Sequence, residues 1–180
     1  MIQIGAPSAT IDAPVEHLIA CHRRIEQRLD TLVKAAGHLE SERERALEAI
    51  AKSIRFLDSS GAMHTEDEER SLFPRLRPKL SAEELAFIES LEQHHRLAEV
   101  IYSRLKQLIT EASAQSRVPA ELVGQYRDCA DRLRSLYGEH IRSEDEILTR
   151  LARRSLTEPE LAEISAEMRY RRSTGGHQRG

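Results

Sequence analysis

Four stretches of this chain repeat apolar residues at alternating steps of three and four, and that spacing constrains the fold more than any other feature. A helix turns once in 3.6 residues, so such a stripe lies along one face and must be buried against a partner. The first stripe reads Leu18, His22, Ile25, Leu29, Leu32, and the second Leu47, Ile50, Ile54, Leu57, Gly61, His64, Glu68. The third reads Leu85, Ile88, Leu91, His95, Ala98, Tyr102, Leu105, Ile109. The fourth reads Leu122, Tyr126, Cys129, Leu133, Leu136 or Tyr137, His140, Glu144.

Local signals set expected boundaries. Asp12 with Pro14 reads as a cap and first-turn pair, and Gly37 as a stop. Ser41 with Glu44, Ser81 with Glu84, and Thr157 with Glu160 have capping-box spacing. Pro74 and Pro78 are expected to break the chain after the second helix, and Glu111 to Val118 to form a polar connection. A short fifth helix follows Thr157. Helices of roughly 25 residues span about 40 Å, and short connections make successive ones antiparallel. The expected fold is all-α, an up-down-up-down four-helix bundle with a short C-terminal fifth helix. Residues 1–12 read as an extension, 13–172 as one domain and 173–180 as a disordered tail.

Composition agrees. Charged residues make up 32% and aromatics 4% with no Trp, which suits a bundle better than a β-sandwich. A formal net charge of −3, with bases interspersed among acids, lacks the basic stripe of a nucleic-acid binder. No apolar run approaches the roughly 20 residues needed to cross a bilayer. Met1 to Thr10 lacks the basic and apolar regions of a signal peptide, and Cys21 and Cys129 are too few for a disulfide framework. These features point to a cytoplasmic protein, and without a zinc-type CxxC any metal must be held by nitrogen and oxygen.

Each long helix carries a His followed by a Glu at i+4: His22/Glu26, His64/Glu68, His95/Glu99 and His140/Glu144. Residues so spaced project from one face about one turn apart. Two such pairs on facing helices can bind one metal or bridge two. His64/Glu68 and His140/Glu144 continue their apolar stripes inward, as do His22 and His95 alone. Buried histidines and carboxylates without a partner are unfavourable by several kcal/mol each, and a cation removes that cost. The depths of the four histidines along antiparallel helices are compatible with one layer.

His64-Thr-Glu-Asp-Glu-Glu-Arg-Ser-Leu-Phe-Pro-Arg-Leu resembles the signature of the hemerythrin-like HHE cation-binding proteins, and His140-Ile-Arg-Ser-Glu-Asp-Glu-Ile-Leu resembles its second copy. His22-Arg-Arg-Ile and Glu92-Gln-His-His-Arg-Leu resemble the single-His helices that pair with them. The resemblance implies metal ligands His22, His64, Glu68, His95, His140 and Glu144. It implies two non-haem irons bridged by oxo or carboxylate groups, with open coordination for O2, peroxide or NO. Zinc or another divalent metal is the less favoured occupant. The oxygen-carrying hemerythrins have a second His where Glu99 stands here, and their fourth-helix acid lies one residue later than Glu144. A more carboxylate-rich site is harder and favours the ferric state, so sensing or oxidative chemistry is expected ahead of reversible oxygen carriage.

Other residues carry weaker claims. His94 competes with His95, and His17 sits at the edge of the first stripe. Glu26 and Glu99 lack the following acid, which suggests hydrogen bonding behind the ligands or plain surface exposure. Gly61 leaves space for a small ligand or for close packing, and Tyr102 and Tyr137 line that space or fill the core. Cys21 and Cys129 read as packing residues, and Arg169 to Arg172 as a solvated helix end. The leading expectation is a protein that binds or senses a small oxidant, with an unidentified protein partner reading its state. The rivals are an enzyme or iron donor acting in oxidative or nitrosative stress, including iron–sulfur cluster repair, and a structural zinc-type site.

Overall fold

The structure is a computed structural model and describes residues 11–175. Five helical rods run through it, with no strand among the described residues. Helix α1 is Pro14–Ala36. Rod α2 (43–79) joins Arg43–Phe56, Ala62–Asp67 and Phe73–Leu76 through π turns at Leu57–Gly61 and Glu68–Leu72, and ends in the 3-10 turn Arg77–Lys79. Helix α3 is Ala82–Ser113. Rod α4 (120–155) joins Ala120–Ser143 to Thr149–Ser155 through the π turn Glu144–Leu148. Helix α5 is Glu158–Gly175.

Side-chain pairings fix the topology. Between α1 and α4, Glu16 meets Arg153, Asp30 meets Arg134, and the Tyr126 hydroxyl donates to the Leu32 carbonyl, so one chain position falls as the other rises. Between α2 and α3, Glu69 meets His95 while Asp58 meets Lys106. Between α3 and α4, His95 meets His140 while Arg104 meets Gln125. Between α1 and α2, Arg28 stacks over Phe56 and His22 approaches Glu68. All four neighbours are antiparallel, as expected for an up-down-up-down bundle.

Two expected caps do not form. The cap of α1 is Ala13, and Asp12 instead pairs with Arg169 of α5. Helix α2 starts at Arg43 after Glu42, with no side-chain cap, so the Ser41/Glu44 box is absent. Leu39 is 1% exposed and anchors the 37–42 turn in the core, which delays the helix. Arg43 then donates to the carbonyls of Ser113 and Gln115, closing the end of α3. The Ser81/Glu84 box forms in full. At the start of α5, Glu160 accepts from the Thr157 backbone N–H and hydroxyl.

The expected breaks also move. Pro74 does not end the second helix: the Phe73 N–H reaches back to the Glu68 carbonyl, and the widened turn absorbs the ring that a regular helix would reject. Glu111 to Ser113 belong to α3, so the α3–α4 connection is shorter than expected and is pinned by buried Val118. In α4 the inward stripe keeps Tyr126, Leu133, His140 and Glu144 as expected and adds Val123, Ala130 and Ile141, while Leu122, Cys129 and Leu136 are only half-buried. Helix α5 continues to Gly175, so 173–175 are helical, and 176–180 lie outside the described residues. No helix among the described residues is long and apolar enough to cross a membrane.

The core is split. A long cluster runs from Cys21 and Ile25 through Leu57, Leu105 and Leu133 to Ile141. A shorter one at the other end gathers Leu18, Leu72, Phe73, Leu91, Leu148, Ile164 and Met168. Between them lies a layer of histidines and glutamates. Replacing Ser81 by Ala should lower stability in chemical denaturation by about 1 kcal/mol, whereas Ser41→Ala should change it by only about a few tenths.

Candidate metal centre

All six expected residues meet in that layer, and each is buried: His22, His64, His95 and His140 with Glu68 and Glu144. They form two overlapping sets, His22, His64, Glu68, Glu144 and Glu68, His95, His140, Glu144, each with donor atoms within 4.8 Å of one another. Both glutamates belong to both sets. Glu68 Oε1 lies 3.2 Å from His64 Nε2 and its Oε2 lies 3.4 Å from His95 Nε2. Glu144 Oε2 lies 3.1 Å from His22 Nε2 and its Oε1 lies 3.2 Å from His140 Nε2. Each carboxylate thus turns one oxygen toward each half of the layer.

The layer fits a cation on its own chemistry. The four carboxylate oxygens of Glu68 and Glu144 are buried without a hydrogen-bond partner, as is His22 Nε2. Nitrogen and oxygen donors about 2.1 Å from an ion and at right angles to one another stand about 3 Å apart, close to the spacings here. Leaving two such carboxylates bare in a core would be unfavourable by several kcal/mol each.

A pattern not expected from the sequence orients the lone histidines. His22 Nδ1 lies 2.7 Å from Asp145 Oδ1, and His95 Nδ1 lies 2.8 Å from Glu69 Oε1. Each acid directly follows one of the shared glutamates, inside the π turn that begins there. The two-ligand helices therefore aim the Nε2 atoms of their single-ligand neighbours. Arg23 also pairs with Asp145. The signal was present as the acid after each HxxxE, but its partner is on another helix. Glu26 and Glu99 do not fill this role: Glu26 pairs with Arg23 at the surface, and Glu99 is exposed.

The remaining candidates fall outside both sets. His94 sits at the edge, with its ring 5.7 Å from that of His140, and His17 lies beside Arg172. Cys21 is buried in the long cluster against His64, Cys129 is half-buried, and both are free thiols. Gly61, Tyr102 and Tyr137 line a groove of about 380 Å³ between α2 and α3 that reaches His95 and Glu69. A methyl group on Gly61 would meet only Leu57, at 3.6 Å, so open space rather than close helix packing surrounds it.

The sequence matches the model of the hemerythrin HHE cation-binding domain over residues 13–152. The chain belongs to that family. No curated protein matches the chain. In this HHE domain the fold and the buried His/Glu cluster agree with cation binding.

Electrostatics link the layer to protons. Burial alone would lower the His22 pKa, but contacts with Asp145, Glu144 and Glu68 raise it to about 12. Burial is likewise outweighed at His64, raised to about 10 by Glu68 and Cys21, and at His95, raised to about 9 by Glu68 and Glu69. Burial would raise Glu68, but His64, His22 and His95 hold it well below the usual carboxylate range. Burial and Glu68 push Glu144 up, yet the nearby His140 and His22 imidazoles bring it below its ordinary value. In the metal-free chain these imidazoles carry protons that neutralise the carboxylates. A histidine whose folded pKa is raised stabilises the fold fully below its unfolded value of about 6.5 and loses that contribution as pH passes the folded value. The melting temperature of metal-free protein should therefore fall between pH 7 and 10, through the His95 value of about 9 and the His64 value of about 10. A flat profile over that range would contradict the protonated layer.

Proposed function

We propose that this HHE domain holds two irons and binds or senses a small oxidant, O2, peroxide or NO. The observation that carries the reading is that Glu68 and Glu144 are common to two His/Glu sets, each supplying two nitrogens and access to both carboxylates. Such a set leaves coordination positions free, and imidazole with carboxylate suits iron. Bound iron would supply an open position for inner-sphere binding of a small ligand.

The protein's part is to place and restrict. His22 and His64 serve one half, His95 and His140 the other, and Glu68 and Glu144 span both. Asp145 and Glu69 fix the rings of His22 and His95 and set which nitrogen faces the centre. A cavity of about 10 Å³ touches His22, Glu68 and Glu144 and is otherwise walled mainly by Val15, Leu18, Leu72 and Leu148. That is the scale of a single water molecule, and its aliphatic wall favours a small neutral ligand over an ion.

Metal analysis with optical spectra of oxidised and reduced protein, before and after O2, peroxide and NO, tests the reading. About two irons per chain and a reversible spectral change are expected. Catalytic turnover of the oxidant would instead favour the enzyme reading, and one spectroscopically silent zinc would refute the two-iron centre. Glu68→Ala and Glu144→Ala should each deplete both metals, because each carboxylate is shared; full stoichiometry in either would remove that glutamate from the centre. Glu69→Gln and Asp145→Asn should keep the stoichiometry but weaken metal affinity about 10- to 100-fold, as read by chelator competition.

A further inference from the structure

A metal bound among these six residues is walled in. No ligand residue is more than 8% exposed, so entry and exit require part of the protein to move. Toward the long cluster the bundle is filled by Ile25, Leu57, Leu105, Leu133 and Ile141. Toward the short cluster, Leu18, Leu72 and Leu148 wall the cavity at Glu68 and Glu144, and Ile164 and Met168 of α5 pack into that same cluster.

Helix α5 is held by few apolar residues and many charges. Arg75 reaches Glu163 at 3.1 Å and Glu167 at 2.7 Å, and Lys79 reaches Glu160 at 2.6 Å. Its far end makes the strongest claim. Asp67 is 0% exposed and immediately precedes Glu68. Its Oδ1 accepts from Arg171 Nε at 2.8 Å and its Oδ2 from Arg172 at 2.7 Å. Arg171 also donates to Ser71 Oγ at 2.6 Å, inside the π turn that Glu68 begins, and Arg172 reaches His17 of α1 at 3.2 Å. The segment expected to be a solvated helix end therefore grips the Glu68 turn on both sides. Without α5, Asp67 would be a carboxylate stripped of both its guanidinium partners beside Glu68.

We propose that α5 is a latch on the metal centre: docked, Arg171 and Arg172 hold the Glu68 turn closed, and undocked, α5 opens the route by which metal enters and leaves. The inference rests on the metal assignment above. Asp67, Arg171 and Arg172 are positioning residues, acting through the turn rather than on the metal. The competing route is the groove between α2 and α3, which ends on His95 and Glu69.

The test follows metal removal by an excess of chelator from the loaded full-length protein. The double variant Arg171→Gln/Arg172→Gln should retain its metal stoichiometry and helical circular dichroism but lose metal faster, on the order of tenfold or more. In the wild-type protein the rate should climb as salt is raised to about 1 M, because the exposed ion pairs that Arg75 and Lys79 make with α5 are screened, and the variant, which keeps those pairs, should climb too from its faster baseline. In metal-free variant protein, amides of 158–175 and 64–72 should lose exchange protection together. A variant rate equal to wild type overturns the latch, and so does slower release from Gly61→Leu, which narrows the groove instead. Should the double variant not fold, the wild-type rate decides: independence from salt overturns the latch. A wild-type chain that takes up no metal refutes the centre itself, whereas full loading with a latch-independent rate refutes only this inference.

Discussion

Two glutamates without hydrogen-bond partners, at the midpoint of a helical core, are the constraint to which the rest of this fold answers. Glu68 and Glu144 face one another between two apolar clusters, and four imidazoles converge on their oxygens. Bare carboxylates at that depth would outweigh much of what a domain of this size gains from folding. Some positive charge must sit between them, whether protons on the histidines or a metal in their place. The packing above and below serves to keep that layer dry and its donors converging.

Much of this was legible in the sequence because the same spacing serves packing and chemistry. In α2, Leu57, Gly61, His64 and Glu68 step by three and four, and the structure buries Leu57, His64 and Glu68 inside with Gly61 on the groove beside them. The histidines could therefore be placed by the leucines around them, and all six candidates do meet. Antiparallel order followed from short connections, and the side-chain pairings along α1 and α4 agree with it.

What escaped depends on contacts between distant residues. Ser41 and Glu44 have the spacing of a box, but Leu39 seeks the core and moves the helix start to Arg43. Glu69 and Asp145 look like ordinary surface acids until His95 and His22 are brought against them. Arg171 and Arg172 look solvated until α5 docks on Asp67. In each case local preference was sound and a tertiary partner overruled it.

The π turns add a further consequence. At Glu68 and again at Glu144, the backbone carbonyl accepts from a residue five positions on, so each rod gains one residue there over a regular helix, and α2 gains another at Leu57–Gly61. One surplus residue rotates everything after it by about 100°. Rods α2 and α4 are thus each spliced, with a change of phase, at their carboxylate, α2 after an earlier change at Leu57–Gly61. Upstream of the splice the phase is tuned to the long cluster, and downstream, through Phe73 and Leu76 or Leu148 and Ala152, to the short one. The splice lets one continuous rod satisfy two cores that a single regular helix could not face at once.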